Sequence, residues 1–140
     1  MKTRRTVAVA FAGLALTLAA CSTAASPPAS GTTITGTLTE YKIALSAATA
    51  PAGEITFNVT NAGTMIHEFV ILKTDTLAKD LPLVNDGVTE ADFNAIGEVP
   101  ETNPAGSGTV KLTLAAGHYA IICNIAGHVR QGMVIDFTVS

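Results

Sequence analysis

Gly117-His-Tyr-Ala-Ile-Ile-Cys123-Asn-Ile-Ala-Gly-His128-Val-Arg-Gln-Gly-Met133-Val-Ile-Asp-Phe-Thr-Val139 is the stretch that decides how this chain folds. Tyr119, Ile121 and Cys123 share one face of a period-two segment, and Met133, Ile135, Phe137 and Val139 share one face of another. Between them a thiol, an imidazole and a thioether follow one another as Cys123-x4-His128-x4-Met133. Two strands joined by a short loop can gather three such donors around one ion, and soft sulfur with imidazole is the set that copper prefers. The chain has only 3 His, 3 Met and 2 Cys in 140 residues, so the coincidence of types and spacing carries weight.

Upstream of this stretch the period-two pattern recurs. Ile34 to Leu45 reads as one or two strands, followed by a turn at Pro51-Ala52-Gly53. Ile55, Phe57 and Val59 alternate with polar residues up to Asn61-Ala62-Gly63; in the next strand His67, Phe69 and Ile71 share a face. Val110, Leu112 and Leu114 alternate with Lys111 and Thr113 before the turn that ends at Gly117. Many short strands without a long amphipathic helix give an all-β fold, a Greek-key β-sandwich over residues 34–140. Residues 73–107 break the rhythm. There Thr89-Glu90-Ala91-Asp92 reads as an N-cap opening a short helix to about Ile96, and the segment is expected to be a flap insertion over a sheet edge.

The N-terminus reads differently. Residues 1–20 combine Lys2, Arg4 and Arg5 with an apolar, alanine-rich run too short for a spanning helix. The run ends Leu18-Ala19-Ala20-Cys21, which resembles a bacterial lipobox and implies a signal peptide cleaved before Cys21, with lipid on its sulfur. Residues 21–33 are small, polar and proline-bearing, as a lipid-anchored linker would be. The remaining chain carries 5 basic and 11 acidic side chains, a balance that argues against nucleic acid as a partner. Lipidation of Cys21 leaves Cys123 as a lone thiol in an exported protein, where an unused thiol is a liability.

The loop supplies three ligands, so a fourth has to come from elsewhere. His67 is the candidate, although a histidine sharing a face with Phe69 and Ile71 is by itself more often a satisfied core residue. At this point the chain resembles the cupredoxins, small blue copper proteins of the plastocyanin and azurin type. The residues that carry the resemblance are Asn61-x-Gly63-x3-His67-x-Phe69, Gly117-x-Tyr119-x-Ile121-x-Cys123 and Gly127-His128-x3-Gly132-Met133. The loop spacing is most similar to auracyanin and rusticyanin.

That resemblance implies one copper ion cycling between Cu(I) and Cu(II), with His67, Cys123 and His128 in a plane and Met133 as a long axial ligand. It implies apolar surroundings from residues such as Phe69. It also implies an electron carrier meeting protein redox partners transiently, as a monomer, through an apolar patch near His128. Met65, Ile66, Ile125, Ala126 and Val129 are the residues available for that patch, with Arg130 beside it to steer an acidic partner. Glu68 departs from the Asn common at its position. Strand alternation turns it away from the ligand face, leaving a solvated carboxylate or one that braces the Cys123–His128 loop, a role Asn124 could share. His118 reads as a surface residue, and Met65 as a core or rim residue rather than a ligand.

Other classes fare worse. The sequence has no Cys-x3-Cys for a dinuclear copper centre, no His-x-His pair for a catalytic copper site and no nucleophile elbow. The expectation is a membrane-tethered electron carrier, with a copper protein for storage, delivery or resistance as the alternative. A metal-free sandwich module would leave the four donors unexplained.

Overall fold

The computed structural model describes residues 31–140. The expected signal peptide, Cys21 and most of the linker lie outside them. Among the described residues nine strands follow in chain order: β1 Thr32–Thr39, β2 Lys42–Leu45, β3 Thr49–Ala50, β4 Gly53–Asn61, β5 His67–Lys73, β6 Ala95–Thr102, β7 Ser107–Leu114, β8 Gly117–Ile122 and β9 Val134–Val139. They form two sheets, ordered β2-β1-β4-β7 and β3-β9-β8-β5-β6. The pairs β1–β4 and β3–β9 are parallel and the others antiparallel. The β-sandwich expected from the alternation is therefore present. Its first strand opens at Thr32, two residues before the expected start at 34.

Alternation determines what fills the sandwich. Ile34 and Leu38 from β1, Ile55, Phe57 and Val59 from β4, and Phe69 and Ile71 from β5 meet Tyr119, Ile121, Phe137 and Val139 between the sheets. Phe57 sits at the centre, its ring 5.6 Å from Phe69 and 5.4 Å from Phe137. Burying each such side chain contributes about 1.5–3 kcal/mol. Cys123 and Met133 belong to the same cluster, just beyond the end of β8 and just before β9. The donors thus sit at one pole of the sandwich, against its main core.

The flap expectation needs correcting. Residues 95–102 are a strand, paired with β5 at the sheet edge through two register shifts, so the excursion covers residues 74–94 only. It holds two 3-10 turns, Ala78–Asp80 and Glu90–Phe93, in place of a helix reaching Ile96. Thr89 makes no side-chain cap, and the second turn stops at Asn94 in the left-handed region. The excursion covers the outer face of the second sheet. Val70, Leu72, Ala120 and Ile122 pack there against Ala78, Leu81, Val88 and Val129 in a second core, so β5 is buried on both faces.

At the opposite pole His118 is a strut rather than a free surface residue. Its Nδ1 lies 2.6 Å from the Thr74 carbonyl oxygen and its Nε2 2.9 Å from Asp136 Oδ1, which also accepts from the Ala78 amide. No helix among the described residues is long and apolar enough to cross a membrane.

Candidate metal centre

His67 opens β5 directly after the loop at residues 62–66, and Asn61 fixes that loop. Its buried side chain donates to the Met65 and Thr102 carbonyl oxygens, each at 2.8 Å, and accepts from the Gly63 amide at 2.9 Å. The Cys123–Met133 loop is closed on itself. The Cys123 amide donates to the Met133 carbonyl at 3.1 Å, the Met133 amide to the His128 carbonyl at 3.0 Å, and the His128 amide to the Ile125 carbonyl at 2.9 Å. Gly127 and Gly132 turn the chain at φ 87° and 94°, values that suit residues without a Cβ.

These elements bring together three of the four expected ligand atoms. Cys123 Sγ lies 3.2 Å from His128 Nδ1 and 3.8 Å from His67 Nδ1, and the two nitrogens are 3.3 Å apart. His67 and Cys123 are wholly buried and His128 nearly so. Met133 is also fully buried, with its backbone bonded to both loop neighbours. Burial pushes both imidazoles below the ordinary histidine value, and for His67 the neighbouring His128 adds to this. Burial likewise pushes the Cys123 thiol up, against the Glu68 amide that donates to Sγ at 3.4 Å. Two neutral imidazoles and a thiol therefore face one point inside an apolar shell. His67 Nε2 has no hydrogen-bond partner, the only such buried side-chain nitrogen or oxygen among the described residues. A soft cation fits this set: it takes the converging nitrogens and compensates a thiolate that the apolar pole alone disfavours.

Glu68 is half-buried. Burial raises its carboxyl, Glu90 adds to the rise, and the Asn124 amide opposes it. Asn124 anchors the excursion: its side chain receives the Val88 amide at 2.7 Å and donates to the Val88 carbonyl and to Glu90 Oε1, each at 2.9 Å. Phe69 lies in the main core beside Cys123.

The expected apolar patch is only partly exposed. Met65 and Ile66 are 40% and 43% exposed, Ala126 is exposed and Ile125 partly so. Val129 belongs to the second core at 8% exposure and is not a surface residue. Arg130 forms an ion pair with Asp86, which offsets the charge expected to steer a partner.

Sequence reasoning missed two residues of the β1–β2 turn. Tyr41 lies edge-on to His128, with ring centroids 5.6 Å apart at 87°. Glu40 hydrogen-bonds the loop that precedes His67. The available signal was a two-residue hairpin turn, Glu40-Tyr41, without glycine. It places a tyrosine at φ 59°, a costly conformation that marks a constrained position.

Comparison with known proteins gives a family and a shared fold. The family model of the sulfocyanin (SoxE) domain matches residues 11–140. The structure is similar to reduced auracyanin from the photosynthetic bacterium Roseiflexus castenholzii, at 25% identity and TM-score 0.60 over 78% of this chain and 97% of that one. It is also similar to auracyanin A, a "blue" copper protein from Chloroflexus aurantiacus, at 21% identity and TM-score 0.55 over 79% and 100% of the two chains. Rusticyanin from Thiobacillus ferrooxidans matches at 15% identity and TM-score 0.59 over 82% and 79%. None of the curated proteins searched by sequence matches.

Proposed function

The chain belongs to the sulfocyanin (SoxE) domain family, and on that premise we propose that it is a membrane-tethered carrier of single electrons outside the cytoplasm, with His67, Cys123, His128 and Met133 as its copper ligands. Cupredoxins are electron-transfer copper proteins rather than enzymes, and the cofactor is one copper ion. The observation that carries the ligand assignment is the triangle of Cys123 Sγ, His67 Nδ1 and His128 Nδ1, with sides of 3.2–3.8 Å at a buried pole.

Copper bound there would supply a one-electron couple, and the protein's part is to keep the donors where they are. Cys123 and Met133 are tied by a backbone hydrogen bond, His128 is tied to Met133, and His67 is held behind the Asn61-braced loop. Little can reorganise when the charge changes, which favours fast electron exchange. Ligands that are 0–4% exposed, with Tyr41 against His128, also argue against the storage or delivery reading, because handing over an ion requires a ligand that an acceptor can reach.

Partners would approach over Met65, Ile66, Ile125 and Ala126, a small apolar surface suited to brief encounters. Lipid on Cys21 would hold the domain at the membrane surface; Cys21→Ser should release the protein into the soluble fraction, and retention at the membrane refutes the anchor.

Adding copper(II) to the purified protein tests the centre. An intense visible thiolate-to-copper band is expected, and it should vanish in Cys123→Ser; a colourless protein refutes the assignment. Reversible voltammetry should then be fast, and sluggish exchange would favour copper handling instead. Ile125→Lys should slow exchange with a partner while leaving the spectrum unchanged.

A further inference from the structure

Glu40 stands in the β1–β2 turn, far in sequence from the expected ligands, yet its carboxylate reaches the loop that leads to His67. Oε1 accepts from the Thr64 amide, from the Thr64 hydroxyl at 3.0 Å and from the Met65 amide at 3.2 Å. These bonds, the Thr64 amide's foremost, hold the carboxyl down to about 2, so it is an anion throughout the working pH range. His67 Nε2 adjoins the same loop, buried and without a partner.

The two groups face each other across Gly63. A Cβ on that residue would lie 2.7 Å from Glu40 Oε1 and 3.1 Å from His67 Nε2. The missing side chain leaves a narrow gap with an anion on one side and an imidazole edge on the other. An imidazole that gives Nδ1 to a metal carries its proton on Nε2, and such histidines are commonly oriented by a carboxylate or carbonyl behind them.

We propose that Glu40 is a positioning residue of the metal centre: its carboxylate fixes the residue 63–65 backbone and, across Gly63, places negative charge at the Nε2–H edge of His67, favouring Cu(II) over Cu(I). The inference rests on the copper assignment for its redox half and on the hydrogen bonds alone for its bracing half. The surroundings of Glu40 differ from those of Glu68, whose carboxyl feels the charges of Glu90, Glu98 and Glu101.

Two variants test it. Glu40→Gln keeps an acceptor oxygen and removes the charge. In the copper-loaded protein it should raise the reduction potential by about fivefold in the Cu(I)/Cu(II) equilibrium, about 40 mV at ~59 mV per decade, with the visible band in place. A shift below about 1.5-fold overturns the electrostatic role. Glu40→Ala removes both functions. In the metal-free protein it should speed hydrogen exchange at the Thr64 and Met65 amides at least about tenfold, while Glu40→Gln leaves both within about threefold of the parent. Unchanged exchange in Glu40→Ala overturns the bracing role. Failure of the copper assignment would show separately, as a parent protein without the visible band.

Discussion

Asn61→Ala is the sharpest test of how the fold holds the first histidine. The side chain is 0% exposed and satisfies three backbone groups: the Met65 and Thr102 carbonyls and the Gly63 amide. Alanine leaves all three without that partner. Each buried group left unsatisfied costs about 1–3 kcal/mol. Two of the three belong to a loop with exposed residues at 64–66, where water can enter, so the lower part of the range applies. The expected loss is about 3–4 kcal/mol. The Asn61 backbone bonds to Ala105 and Gly106 survive the substitution, so the neighbouring loop stays attached and the loss belongs to the side chain. Urea unfolding of the metal-free protein, followed by far-UV circular dichroism because the chain has no Trp, gives the number. Asn61→Asp retains the acceptor for Gly63 but sets a carboxylate against two carbonyls, and should be no better than alanine. A loss below about 1 kcal/mol with unchanged denaturant slope would refute the reasoning.

The metal-free protein should be most stable between about pH 6.5 and 9. The buried imidazoles of His67 and His128 titrate below the ordinary 6.5, so below that pH the unfolded chain binds more protons and stability falls with acid. Cys123 titrates above 9.0, so in stronger base the unfolded chain loses a proton that the folded one keeps, and stability falls again; a flat denaturation profile from pH 5 to 10 refutes this. Asn124→Ala should free the excursion from the ligand loop, speeding Val88 amide exchange at least about tenfold while the visible band survives; unchanged exchange would count against the anchor. Val129→Ala should cost about 2 kcal/mol as a core truncation, whereas Ile125→Ala should cost under about 1, and equal losses by urea unfolding would contradict the placement of Val129.

What could be read from the sequence depended on how local each signal was. The candidate donors stood out because Cys123, His128 and Met133 are uncommon residues at fixed spacing in one loop, and the flanking strands alternate cleanly. His67 was legible only with the resemblance beside it. Strand β6 was hidden because Ala95-Ile-Gly-Glu-Val-Pro-Glu-Thr102 carries a glycine and a proline, which its place at the sheet edge tolerates. Missing that strand made the excursion look longer than it is. Val129 was misplaced because a second core exists only once residues 74–94 cover the outer sheet face. Glu40 and Tyr41 act on residues 24 or more positions away, and no periodicity reports such a contact.

The excursion between β5 and β6 also limits how portable the Cys123–Met133 loop is. Val129 roots the loop in the second core, the Gly127 amide is bonded to the Asp86 carbonyl, and Asn124 grips Val88 and Glu90. Cys123–Met133 is thus a span with footings in two places, the strand ends above and residues 86–90 below. Transplanting the eleven-residue loop onto another sandwich would carry over the donors without the lower footing. The smallest unit that can be moved intact is the loop together with that stretch of the excursion.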